Sequence, residues 1–375
     1  GLQMLYNKYK TNHVSFHSII RTCLISILIF PLFSTPALAV KIKTSNPDLS
    51  VRWDNTLKYS AAFRTTDRNS AILADTNLDD GDQNFDEGLI SNRIDLLSEF
   101  DLYYKNMGFR ISGAGWYDDV YNGDTDNSSP LTSNSFSVPF NEFTDATEEL
   151  HGRDIELLDA FGFVDFNLGS MPSILRVGRH SILYGERLFF GANGIAGGQA
   201  PTDVIKLLSV PNSQFKEIIR PTGQVSLQTQ VNSKVTFGAY YQFEWEETRL
   251  PASGSYLSAA DYLGEGAERL FVGPGLAFFN GGDIEASDQG QGGMQLRLRP
   301  GEGEWDFGLY LTHYHEKTPT FYFLPGANVD LATGKVGEFK QVYAEDITAV
   351  GASFSTVFGD INVEGFRKKV KFASK

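Results

Sequence analysis

Charged side chains crowd one stretch of this chain. Arg179 is followed by Glu186, Asp203, Lys206, Lys216, Glu217 and Arg220, with Phe189-Phe190 and the glycines Gly191, Gly194, Gly197 and Gly198 among them. Mixed charges and aromatic rings on a glycine-rich segment suit the narrowing of a pore, where fixed charges select what passes. Ordinary loop packing is the plainer alternative. The run Pro201–Leu208 reads as a single helical turn opened by Pro201.

A second group is acidic. Asp75, Asn77 and Asp79 have the one-three-five spacing of a calcium loop, with Asp86 standing in for the bidentate glutamate. Asp80 occupies the position that needs glycine, so a solvated loop competes with calcium here. His313 and His315 share one strand face and have the spacing of a metal clamp, but no carboxylates accompany them. His151 and His180 are the histidines available to a serine hydrolase. Gly-x-Ser-x-Gly, Cys-x-x-Cys and His-Glu-x-x-His are all missing from the sequence. We therefore assign no catalytic residues, expect no enzyme, and expect no cofactor beyond the calcium candidate.

The elements that must position these groups repeat one unit: an alternating strand, a short turn, another such strand, and a long polar connection. In the clearest copy, Val225, Leu227, Thr229 and Val231 lead through Asn232-Ser233 to Val235, Phe237, Ala239, Tyr241, Phe243 and Trp245. A period of two gives one apolar and one wet face. Eleven such strands are expected, at about 51–64, 92–104, 109–120, 155–168, 174–184, 224–231, 235–245, 294–299, 305–315, 347–358 and 361–366. Connections after even strands are tight. Those after odd strands are long, at about 65–91, 121–153, 185–222, 247–292 and 316–344. Such segregation by length predicts an all-β, antiparallel transmembrane β-barrel rather than a soluble sandwich. Arg52, Asp54 and Lys58 on the first strand, and Lys234, Tyr240, Gln242 and Glu244 on the seventh, are expected to face the lumen. Trp245 and Tyr241 would sit in an aromatic girdle.

The ends read differently. Lys8, Lys10 and Arg21 precede the apolar run Cys23–Phe30, which Pro31 and Pro36 break. Ala37-Leu38-Ala39 then supplies small residues for cleavage after Ala39, so residues 1–39 are expected to be a secretory signal peptide. The only cysteine is Cys23, inside that segment. The net charge of −14 argues against nucleic acid as a partner. Residues 40–366 form the barrel domain, and 367–375 a basic tail without strand period. Eleven strands is an odd number and Lys375 is not aromatic, so the barrel is expected to be an incomplete larger one, interrupted near Phe366.

Several runs resemble the family labelled "domain of unknown function 1302". They include Val51–Tyr59, Asn77–Asp82 with Asn84-Phe85, Gly88–Asp101, Gly113–Tyr121 and Tyr241–Trp245. Val177-Gly178-Arg179-His180 and Tyr184-Gly185-Glu186 are similar to the family's Gly-Arg-Gln and Trp-Gly-Glu elements, with His180 and Tyr184 as departures. The resemblance covers nearly all of 45–365. It implies a Gram-negative outer-membrane barrel linked to catabolism of hydrophobic compounds such as steroids and aromatic esters, and no agreed catalytic residues. The expectation is an uptake channel for a poorly soluble organic substrate, with a non-transporting envelope scaffold and an outer-membrane hydrolase as alternatives. Its partners would be outer-membrane lipid and lipopolysaccharide, periplasmic chaperones, the barrel-assembly machinery and a small hydrophobic substrate.

Overall fold

The computed structural model describes residues 38–185, 195–301, 305–358 and 361–372, the backbone alone at 38–40, 357–358 and 361–372. Chain contacts divide the protein into Gly1–Leu38 and Ala39–Lys375; the fold below is that of the second unit. Ala37, Glu186, Phe189 and Phe190 lie outside the described residues. Ala39 falls in the first strand.

The architecture is all-β. One large sheet has twelve strands in the order β1 (Leu38–Ile42), β2 (Leu49–Arg64), β3 (Gly88–Tyr104), β4 (Met107–Asp118), β5 (Arg153–Leu168), β6 (Met171–His180), β7 (Thr222–Asn232), β8 (Val235–Gln242), β11 (Gln291–Leu298), β12 (Trp305–Tyr314), β15 (Ile347–Phe358) and β16 (Ile361–Phe372). From β2 onward every neighbouring pair is antiparallel. All eleven expected strands are present, and β1 adds a twelfth. The backbone stays in strand conformation through Phe372, where the sequence pattern had ended it at Phe366, because β16 pairs with β15 along its whole length. No pairing among the described residues joins β16 to β1 or β2.

The patterning of this sheet is the reverse of a soluble protein's. On β2, Trp53, Leu57, Tyr59 and Phe63 are exposed, whereas Asp54 and Arg64 are buried. On β3, Arg93, Asp95, Glu99 and Asp101 are buried and Leu96 is exposed. Register carries the apolar row across the strands: Trp53 opposes Phe100, Phe100 opposes Ile111, Leu296 opposes Phe237 and Leu309, and Phe307 opposes Phe354. Aromatic and aliphatic cross-strand pairs of this kind stabilise a sheet by about 0.2–1 kcal/mol each. No helix among the described residues is long and apolar enough to cross a membrane.

Two of the expected long loops carry strands of their own. A second, four-stranded sheet has the order β13 (Thr320–Asp330), β14 (Lys335–Val342), β10 (Leu276–Asn280) and β9 (Arg269–Gly273). Its β10–β14 pair is parallel. Trp245 belongs here rather than to a girdle. Strand β8 stops at Gln242, and the buried Trp245 ring packs against Tyr343 at 4.7 Å, with its Nε1 donating to the Glu316 carbonyl. Tyr241 is exposed as expected.

Candidate functional site: a charged segment on the polar face

The connection between β6 and β7 folds back onto the polar face of the large sheet. Its described part begins with the turn Ile195–Gly198, and Ile195 is buried among Tyr184, Tyr240, Tyr310, Tyr314 and Ile347. Gly198 permits the approach: a Cβ there would lie 2.5 Å from the Tyr314 ring. Gln199 then ties both ends down. Its Oε1 accepts from the Tyr184 amide at 2.6 Å, its Nε2 donates to the Tyr184 carbonyl at 2.8 Å, and its own carbonyl accepts from Gln242 Nε2 at 2.6 Å.

Two short helices follow. The first is Val204–Ser209, starting three residues after Pro201. Asp203 fixes its start, with Oδ1 accepting from the Lys206 amide at 2.7 Å. The second, Phe215–Ile218, starts where Glu217 Oε2 accepts from the Gln214 amide at 2.6 Å. Ile205 is buried beneath the segment, while Leu207, Leu208 and Phe215 are exposed.

The charges on this segment meet opposite charges from the strands. Glu217 pairs with Lys58 of β2 at 2.7 Å, and Lys216 with Glu99 of β3. Glu156 of β5 gathers three cations: Arg249 at 2.9 Å, Lys206 at 3.8 Å and Arg220 at 3.9 Å. Arg249 also pairs with Asp203 Oδ2 at 2.9 Å. Arg220 reaches Glu246 at 2.7 Å, and Arg179 holds Glu246 at 2.8 Å and Glu244 as well. Trp116 lies at the centre, with Arg93, Lys206 and Arg249 at 5.3, 5.5 and 5.3 Å from its ring. Cations over a buried indole gain from its negative face. Such a network holds position. Removing one member leaves its partners charged and desolvated.

Two cavities adjoin the network. One, of about 250 Å³, is lined by Arg220, Arg249, Glu149, Glu247, Glu265 and Tyr343. The other, of about 210 Å³, has walls of Ile90, Tyr121, Leu208 and Tyr256, with Arg93 and His151 at its polar end. Burial and neighbouring carboxylates push the Glu247 carboxyl up to about 7.

The family model for a protein of unknown function (DUF1302) matches residues 20–366. The chain belongs to this family. A search of curated proteins finds no match. The family description carries no activity, so what this DUF1302 chain does must be argued from its site.

Of the candidates read from sequence, the structure brings together Arg179, Asp203, Lys206, Lys216, Glu217, Arg220, Asp54, Lys58, Tyr240, Gln242 and Glu244 on or beside the polar face. Tyr240 is buried with its hydroxyl 2.8 Å from Thr312 Oγ1. Arg52 shares that face and contacts Asp54, but its side chain is 59% exposed. Lys234 departs from expectation: it sits exposed in the β7–β8 turn, its amide bonded to Asn232 Oδ1. The acidic set does not converge either. The Asn77 amide side chain is spent on the Phe271 backbone in both directions, and Asp86 pairs with Arg68. Asp75 accepts from the Asn77 amide, and only Asp79 turns inward. His315 bonds the Gln289 carbonyl and His313 the Thr348 hydroxyl. His180 Nδ1 faces the Gly178 carbonyl at 2.9 Å, so its Nε2 accepts from Ser226 Oγ at 2.8 Å. That Ser-His pair is buried, and a backbone carbonyl stands where a triad carboxylate would be. Sequence reasoning missed Trp116, Glu156 and Arg249, whose only signal was a charge or ring on an alternating strand or polar loop.

Proposed function

We propose that this chain is the wall of a channel in the outer membrane of a Gram-negative bacterium, passing a poorly soluble organic solute passively through a polar interior narrowed by the β6–β7 segment. The observation that carries this reading is the reversed patterning of the large sheet together with the segment packed on its polar face. An exposed apolar belt suits lipid, and backbone groups paired strand to strand suit a bilayer that offers no water. A signal peptide ending at Ala39 and barrel-assembly partners complete the route. Leu207, Leu208 and Phe215, exposed on an otherwise charged segment, offer apolar contact to a solute with a hydrophobic body. The chain purified in detergent and inserted in planar bilayers tests this. Discrete conductance steps are expected, and replacing residues 203–218 by a short Gly-Ser linker should enlarge them. Absence of conductance in protein that is inserted and heat-modifiable would leave the scaffold reading instead.

A further inference from the structure

Three outer connections meet at a knot of aspartates. Asp79 and Asp80 come from the connection after β2, beside the helical turn Asp80–Gln83, and Asp261 comes from the connection after β8. One carboxylate oxygen of each lies within 4.8 Å of the other two. The residues are 3%, 2% and 0% exposed. The surrounding backbone holds the carboxylates from behind. The Asp80 amide donates to Asp261 Oδ2 at 3.2 Å, the Asp79 amide also donates to Asp261, and the Ser133 and Asn134 amides donate to Asp80. Residues 133 and 134 belong to the connection after β4.

What is left over points to a ligand. Oδ1 of Asp79, of Asp80 and of Asp261 is each sealed from solvent and accepts no hydrogen bond, and the buried Ser255 Oγ likewise has no partner. The nearby arginines are committed elsewhere. Arg64 pairs with Asp82, Arg68 pairs with Asp86, and Arg269 donates to the Thr132 and Ser133 carbonyls. Three desolvated carboxylates that form no ion pair among the described residues are costly. Burial, then repulsion from Asp261 and Asp79, pushes the Asp80 carboxyl well above the usual carboxylate range, burial likewise raises Asp261, and burial raises Asp79 to about 6.

We propose that Asp79, Asp80 and Asp261 bind a hard divalent cation of the calcium type, which staples the connection after β2 to the connection after β8. All the donors are oxygens, which suits calcium rather than the nitrogen- and sulfur-seeking transition metals. Several ligands from separate loops suit its flexible coordination better than the strict octahedron of magnesium. The site does not depend on whether the protein conducts.

The test uses the full chain in detergent, stripped with a chelator and titrated calorimetrically with calcium chloride. One calcium per chain is expected, with a Kd of about 10⁻⁴–10⁻³ M, the range of extracellular modules. Asp80→Asn and Asp261→Asn should each weaken binding about tenfold or more, since ligand charge sets calcium affinity. Asp75→Asn and Asp86→Asn should leave it unchanged. A second measurement needs no substitution: calcium should protect the connections 65–87 and 243–290 from limited proteolysis, and chelator should reverse the protection. No calcium uptake by the unsubstituted chain, or uptake that both inner variants retain, overturns the proposal. Tighter binding of magnesium than of calcium overturns its assignment to the calcium class.

Discussion

Arg249 holds more of the charged site together than any residue of the segment it anchors. Its guanidinium joins Asp203 on the segment to Glu156 on β5 and lies over Trp116. Arg249→Met should destabilise the protein by about 3–5 kcal/mol, because the buried Asp203 loses its ion-pair partner and Glu156 loses the nearest of its three cations. Chemical denaturation measures this, and Arg249→Lys should recover part of the loss while lacking the two-pronged geometry. His151 gives a pH signature. It stacks on Tyr121 at 4.8 Å and accepts from the Ala252 amide, and burial, then Arg93 and Arg249, lowers its pKa from 6.5 to about 3. A depressed histidine keeps its full contribution above about 6.5 and loses it as pH falls toward 3. Unfolding midpoints should therefore drop across that window, and less steeply in His151→Gln, which keeps an acceptor and cannot titrate. Asp203, Lys206, Glu217 and Arg220 were legible in sequence because they cluster along the chain. Arg249 and Glu156 were not, since only folding brings a distant loop and a strand against them. Asp80 read as a defect in a calcium loop. Its true neighbour, Asp261, is far away in sequence.

The strands of the large sheet from β2 to β15 could be read because they expose one face and pack the other, which imposes a period of two on the sequence. Strand β13 carries no such mark. Phe321-Tyr322-Phe323-Leu324 is a continuous apolar run in a strand that is exposed over most of its length, so periodicity had nothing to report. The seating of the β6–β7 segment was also beyond reach, since it depends on Gly198 meeting Tyr314. Gly198→Val should lift the segment off the polar face, seen as faster proteolysis within 195–220 and, if the protein conducts, a larger conductance. On β8, Ala239 opposes Leu227 and Met294 in the apolar row. Ala239→Arg should cost about 2–4 kcal/mol near a bilayer midplane and much less in detergent of low order, a difference that folding titrations in the two media can read.

At the scale of the whole molecule, the large sheet and the smaller sheet follow different rules. The large sheet mostly pairs successive strands, with β8 joined to β11 and β12 to β15 across the strands of the smaller sheet. The smaller sheet joins two local hairpins, β9–β10 and β13–β14, through the parallel β10–β14 pair, whose partners are separated in the chain by β11, β12 and β13. Local hairpins close in microseconds, whereas pairings of distant segments bear a larger loop-closure entropy and come later. The β10–β14 pair is therefore a clock on assembly. Pulse-labelling by hydrogen exchange should find the amides of β7 and β8 protected first and those of β10 and β14 last. A protein caught between those two moments would have a finished large sheet and two hairpins still unlatched from each other.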